Sequence, residues 1–203
     1  MGFHVNESQF DAWLTEQKKH YDIYAPKCFA GGNTFSDVDC IRYGKVNSIS
    51  EIVFDQMSEY SFKEVLTPIS QTLFFFTEDQ CKEANPPKKG AILFLRSCDL
   101  HALKRLDDMY LHNGPADYYY QCIRDNIKIV LMGCRHSFES CFCVSMGTNI
   151  SENYDMSINA ADGVYELNCK DSSWNARLRH HGHDRTPARP QLLRQLRCLR
   201  QKV

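Results

Sequence analysis

The sequence predicts an α/β fold, a mixed sheet around a βαβ unit with a cysteine-bearing loop at the carboxyl ends of its strands. Three observations lead there. Two apolar runs, Ala91–Leu95 and Ile127–Met132, have the length and composition of buried strands. Between them Leu100, Leu103, Leu106 and Leu111 recur at helical spacing, with Lys104, Arg105, Asp107 and Asp108 on other faces. Each run is followed almost at once by a cysteine, Cys98 or Cys134. Parallel βαβ crossovers are nearly always right-handed, so both strands end on one edge of the sheet, where open α/β sheets bind ligands.

The elements before this unit read as its support. Residues 6–20 form an opening helix, capped by Asn6 or Ser8, with Phe10, Trp13 and Leu14 as a short apolar stripe suited to packing. Tyr21–Phe29 is a loosely alternating strand, and Ala30–Asn33 a turn. Asp39–Val46 and Glu51–Phe54 are expected as short strands. The apolar stretch Lys63–Phe76, punctuated by Pro68, is expected to close over the core as a loop or short helix. Asn85–Gly90 is a hinge. After the central helix, a second short helix runs to Arg124. Beyond the cysteine loop, Tyr154–Ile158 and Val164–Leu167 flank Ala-Ala-Asp-Gly163 as a hairpin. The expected organisation is therefore 1–87 as a helix and mixed strands packing on the core, 88–170 as the βαβ core, and 171–203 as a basic tail.

Composition narrows the class. At 203 residues and 43% hydrophobic content the chain can bury a substantial core. No apolar run approaches the length of a membrane span. The start, MGFHVNESQF, lacks the basic and apolar blocks of a signal peptide, so a cytoplasmic location is expected. Ten cysteines in a reducing compartment point to metal ligation or buried thiols before disulfides. The net charge of −1 conceals an asymmetry. Residues 177–203 carry eight Lys/Arg against one acid, whereas residues 1–176 hold 16 against 24. An acidic body argues against nucleic acid as a partner of the folded part. The tail, with His180, His181, His183 and four spaced leucines, differs from everything before it, as if translated out of frame after Trp174.

The chemistry resides in Cys98, Cys134, Cys141 and Cys143, spaced C-x35-C-x6-C-x-C. Four converging thiolates are the usual ligand set of a [4Fe–4S] cluster. Asp99 can cap the helix after Cys98, whose free N–H groups favour an anionic group. Arg96, Arg135 and His136 add positive charge, and Phe138 and Phe142 can exclude water. The spacing leaves two alternatives open: a zinc site, although zinc knuckles usually use C-x₂₋₄-C, or thiols without metal. Cys28, Cys40 and Cys81 read as ordinary thiols, and His101 as a buried, hydrogen-bonded histidine. No phosphate loop, Ser/His/Asp set or paired catalytic carboxylates stand at recognisable spacing.

Three stretches, Arg96-Ser-Cys-Asp-Leu-His-Ala-Leu103, Asp117-Tyr-Tyr-Tyr-Gln-Cys-Ile-Arg-Asp-Asn126 and Cys141-Phe-Cys-Val-Ser-Met-Gly-Thr148, occur in that order. Together they resemble the iron–sulfur electron-transfer subunits related to sulfhydrogenase beta chains, most closely those of the anaerobic, NADH-linked sulfite reductases. The resemblance runs to about Trp174. It implies an electron carrier, not itself catalytic, that passes electrons from a flavin/NAD-binding subunit to a sirohaem sulfite-reducing subunit. By position it assigns the cluster to Cys98, Cys134, Cys141 and Cys143. The family continues into a ferredoxin-like part with further clusters, which this chain is expected to lack, leaving one cluster here.

Overall fold

Ile92, Leu93, Phe94 and Leu95 are all buried, and their alternation organises the molecule. Successive strand residues face opposite sides of a sheet, so a strand apolar at every position needs cover on both faces. The computed structural model describes residues 2–84, 89–161, 163–170 and 174, and it supplies both covers. The strand Gly90–Leu95 (β6) is the fifth of seven strands in a mixed sheet. In chain order the others are β1 (Gly2–Asn6), β2 (Tyr21–Phe29), β3 (Cys40–Lys45), β7 (Ile127–Met132), β8 (Met156–Ala161) and β9 (Val164–Cys169). The spatial order is β1-β9-β8-β7-β6-β2-β3. Four central strands, β2, β6, β7 and β8, run parallel. The outer strands β1, β9 and β3 pair antiparallel with their neighbours. The predicted α/β class and mixed sheet are observed.

One face is covered by the helix α1 (Glu7–Gln17), whose Phe10, Trp13 and Leu14 pack with Ile92, Phe94, Val130, Met132 and Trp174. The other is covered by α3 (Ser97–Asp107), α4 (Tyr118–Arg124) and the single turn α2 (Lys63–Leu66). There Leu66, Leu100, Leu103 and Tyr120 meet Leu93, Leu95, Ile129 and Leu131. Helix α3 continues as a π-helical turn over Asp108–His112. Among the described residues no helix is long and apolar enough to cross a membrane.

Local chemistry explains the boundaries. Asn6 caps α1 reciprocally: its side chain accepts the Gln9 N–H at 2.9 Å, and the Gln9 side chain accepts the Asn6 N–H at 2.9 Å. Gly163, at φ +80°, sits in the β8–β9 connection, between the paired Ala161 and Val164. Gly90 is required for a different reason. A Cβ there would lie 2.5 Å from the Asn126 carbonyl oxygen and 2.8 Å from the Tyr21 ring. That carbonyl is fixed by the Ala91 N–H at 3.0 Å. Gly90→Ala is expected to destabilise the fold by about 1–3 kcal/mol through overpacking. The check is a lowered urea midpoint at an unchanged m-value.

Two expectations are corrected. Glu51–Phe54 is not a strand; Ile49–Glu51 forms a 3₁₀ turn instead. The Asp11 carboxylate on α1 accepts the Ile49 N–H at 2.7 Å, and burial of Ile49 and Ile52 holds the turn in the α1-side core. Lys63–Phe76 closes over the core only in its first part, where Leu66, next to the buried Phe62, is itself buried. Beyond Pro68 the chain forms β4 (Phe74–Phe76), which pairs only with β5 (Cys81–Glu83) as a separate two-stranded sheet. Phe76 is 83% exposed. Strand β1 adds an element that the sequence reading does not contain. Residues 85–88 of the expected hinge at Asn85–Gly90, Asp162, and the tail with its histidines, leucines and Cys198 lie outside the described residues.

Candidate iron–sulfur site

Strands β6 and β7 are adjacent, parallel and in register from Ala91↔Ile127 to Leu95↔Leu131, so their carboxyl ends lie side by side. The chain leaves β6 through Arg96 into α3, placing Cys98 in the first helical turn, where N–H groups lack intrahelical acceptors. It leaves β7 through Gly133 to Cys134, and the Gly133 N–H donates to the Ile158 carbonyl of β8 at 2.9 Å. The loop then carries Cys141 and Cys143. The Phe138 N–H donates to the Cys141 sulfur at 3.3 Å, and the Cys141 N–H to the Phe138 carbonyl at 3.0 Å. The Thr148 N–H closes on the Cys143 carbonyl at 2.8 Å.

All four thiols are free of disulfides; Cys134 and Cys143 act electrostatically on Cys98, and Cys141 and Cys134 on Cys143. Cys98 is exposed as a residue, yet loss of solvation at its thiol, then Asp99, Cys134 and Cys143, push its pKa up to about 12. Burial also pushes the Cys143 thiol up, with Cys141 and Cys134 adding to it. The raised Cys98 and Cys143 thiols resist ionising, unless a cationic centre beside them reverses the balance. The donor set fits an iron–sulfur cluster in its chemistry: four sulfurs, a helix start beside one, and N–H donors aimed at two others. Among the described residues no three His, Cys, Asp or Glu side chains converge on a point that could hold one metal ion. Thiolates around a cube stand farther apart than ligands of a single ion, so this geometry bears less on a cluster.

The surroundings are differentiated. Arg96 is 4% exposed; its guanidinium donates to the Cys134 sulfur at 3.3 Å and to the carbonyls of Phe54 and Gln56, both at 2.9 Å. It lies over the Phe138 ring, 4.9 Å from the centroid. Asp99 accepts the Arg96 backbone N–H at 3.2 Å and the Tyr43 hydroxyl at 3.1 Å. Burial raises the Asp99 carboxyl, opposed by the two hydrogen bonds and the Arg96 charge. His101 is half-buried, and its Nε2 meets the Ile150 carbonyl at 2.8 Å, bracing α3 against the end of the cysteine loop. Arg135, His136 and Phe142 are exposed, while Phe138 is half-buried. Cys28 and Cys81 are exposed and Cys40 is buried. Sequence reasoning missed the Phe54 and Gln56 carbonyls and the Tyr43–Asp99 bond, because nothing local marks a backbone acceptor about 40 positions away.

The fold and these thiols define a cysteine-bearing α/β domain with its polar chemistry at the carboxyl ends of parallel strands. The chain is 33% identical over 116 residues to sulfhydrogenase 2 subunit beta of Pyrococcus furiosus, a match covering 54% of this chain and 33% of that protein. It thus spans well under two thirds of the curated relative's length. No family model and no solved structure matches the chain.

Proposed function

We propose that this chain binds one [4Fe–4S] cluster through Cys98, Cys134, Cys141 and Cys143 and serves electron transfer within an oxidoreductase complex. The observation that carries this reading is the delivery of Cys98 and Cys134 to the adjacent ends of β6 and β7, with Cys141 and Cys143 in the loop beyond and Cys134 and Cys143 both acting on Cys98. Bound there, such a cluster would accept and release single electrons. The chain's own residues supply the rest. The first turn of α3 presents N–H groups beside Cys98, Phe138 donates to Cys141, and Arg96 donates to Cys134. Likeness to a protein named as one subunit of a sulfhydrogenase supports work within a larger assembly. The finer reading rests on the three motifs: a cytoplasmic, anaerobic sulfite reductase, in which electrons enter from a flavin/NAD-binding subunit, then leave to a sirohaem subunit.

Protein purified without oxygen is expected to contain about four iron and four acid-labile sulfide per chain, with a visible absorption band bleached by dithionite. Zinc without sulfide would replace this reading with a structural site. A folded, metal-free sample would refute it. Co-purification with the flavin/NAD-binding and sirohaem subunits tests the sulfite assignment separately.

A further inference from the structure

The geometry points to Arg96 as the positioning residue of the cysteine site: its buried guanidinium fixes Cys134 and holds the reduction potential up. This rests on the four-thiolate reading above. Burying a cation is costly unless its charge is answered. Three of the Arg96 guanidinium contacts, the Phe54 and Gln56 carbonyls and the Phe138 ring, are neutral. The fourth contact is the Cys134 sulfur, at 3.3 Å, the one atom among them that belongs to the proposed ligand set. The Asp99 carboxylate lends charge from the side, taking the Arg96 backbone N–H. The planar guanidinium can satisfy acceptors in several directions at once, which a lysine ammonium on a flexible stem cannot reproduce in the same geometry.

The consequence is directional. Adding one electron to a cysteine-bound cluster adds one negative charge, with no bond broken. A fixed cation donating to a ligand sulfur stabilises that extra charge, so the reduced form gains more than the oxidised form. The two carbonyls fix the distance of the cation. Segment 54–56 lies about 40 positions before Arg96 in the chain, and in this way it enters the redox properties of a site to which it gives no ligand.

The test is a dithionite-mediated redox titration, followed by electron paramagnetic resonance, of the anaerobically purified full chain and its Arg96→Gln and Arg96→Lys variants. With iron and sulfide retained, Arg96→Gln is expected to shift the equilibrium about tenfold toward the oxidised form, or about 59 mV for one electron. Arg96→Lys, which keeps the charge and loses the fork, is expected to shift it by roughly a third of that on the same scale. A loaded variant of either kind that keeps the wild-type potential overturns the inference. If Arg96→Gln does not fold, the lysine variant decides. Wild-type protein without iron and sulfide removes the four-thiolate reading itself. A loaded wild type with unmoved variant potentials removes only the role of Arg96.

Discussion

Cys134→Ala, purified without oxygen, is expected to fall from about four iron and four sulfide per chain to less than about one of each. The size of the effect follows from the position of the residue. Cys134 leaves β7 beside the end of β6, its sulfur receives the Arg96 guanidinium, and its charge is felt at both Cys98 and Cys143. Removing it takes one of the four proposed ligands and leaves the buried cation facing a methyl group. Cys141→Ala is expected to lose the cluster similarly, because the loop that carries it is held by the Phe138 N–H on that same sulfur. Cys28→Ala and Cys81→Ala are the controls. Both thiols are exposed on other strands, and their replacement is expected to leave iron and sulfide unchanged. Retention of full metal and sulfide in Cys134→Ala would remove that residue from the ligand set. Equal loss in the controls would attribute the effect to handling.

The parts of this architecture written locally were legible. Strands β6 and β7 announce themselves because burial on both faces demands an unbroken apolar run, and a helix between parallel neighbours follows from chain connectivity. Helix α1 was legible from Asn6, whose cap needs only the next three residues. Where distant partners decide, the sequence was silent. The alternation of Phe3 and Val5 is a strand signal, but β1 is too short to stand without β9, more than 150 positions later. Ile49 turns into a 3₁₀ segment because Asp11, on another element, takes its N–H. Phe74–Phe76 has the composition of a core and stays exposed; among the described residues β4 pairs only with β5. The site divides in the same way. Strand ends place Cys98 and Cys134 from sequence, whereas the reach of Cys143 to them depends on how the loop folds back, and the clamp on Arg96 on the distant 54–56 segment.

Trp13→Ala is expected to destabilise the chain by about 3–5 kcal/mol, the largest effect on stability from a single core position. The indole is 0% exposed on α1 and meets the Phe10 ring at 5.2 Å and the Trp174 ring, edge-on, at 5.3 Å. Its loss leaves a cavity between the helix and the sheet that neither neighbour can fill without leaving its own contacts. Trp174, buried at 2%, depends on this packing, so the core extends along the sequence at least to that residue. The comparison variant is Trp13→Phe. The Trp13 Nε1 is buried and finds no hydrogen-bond partner among the described residues. A phenyl ring loses some volume but also removes this unanswered donor, whose burial costs about 1–3 kcal/mol. The two terms oppose each other, and the net change is expected to stay below about 1.5 kcal/mol. Urea unfolding of the chain purified without oxygen measures both variants on one scale. If Trp13→Phe costs as much as Trp13→Ala, packing volume dominates and the indole N–H is answered within the fold. If it costs little, α1 is held by the aromatic face.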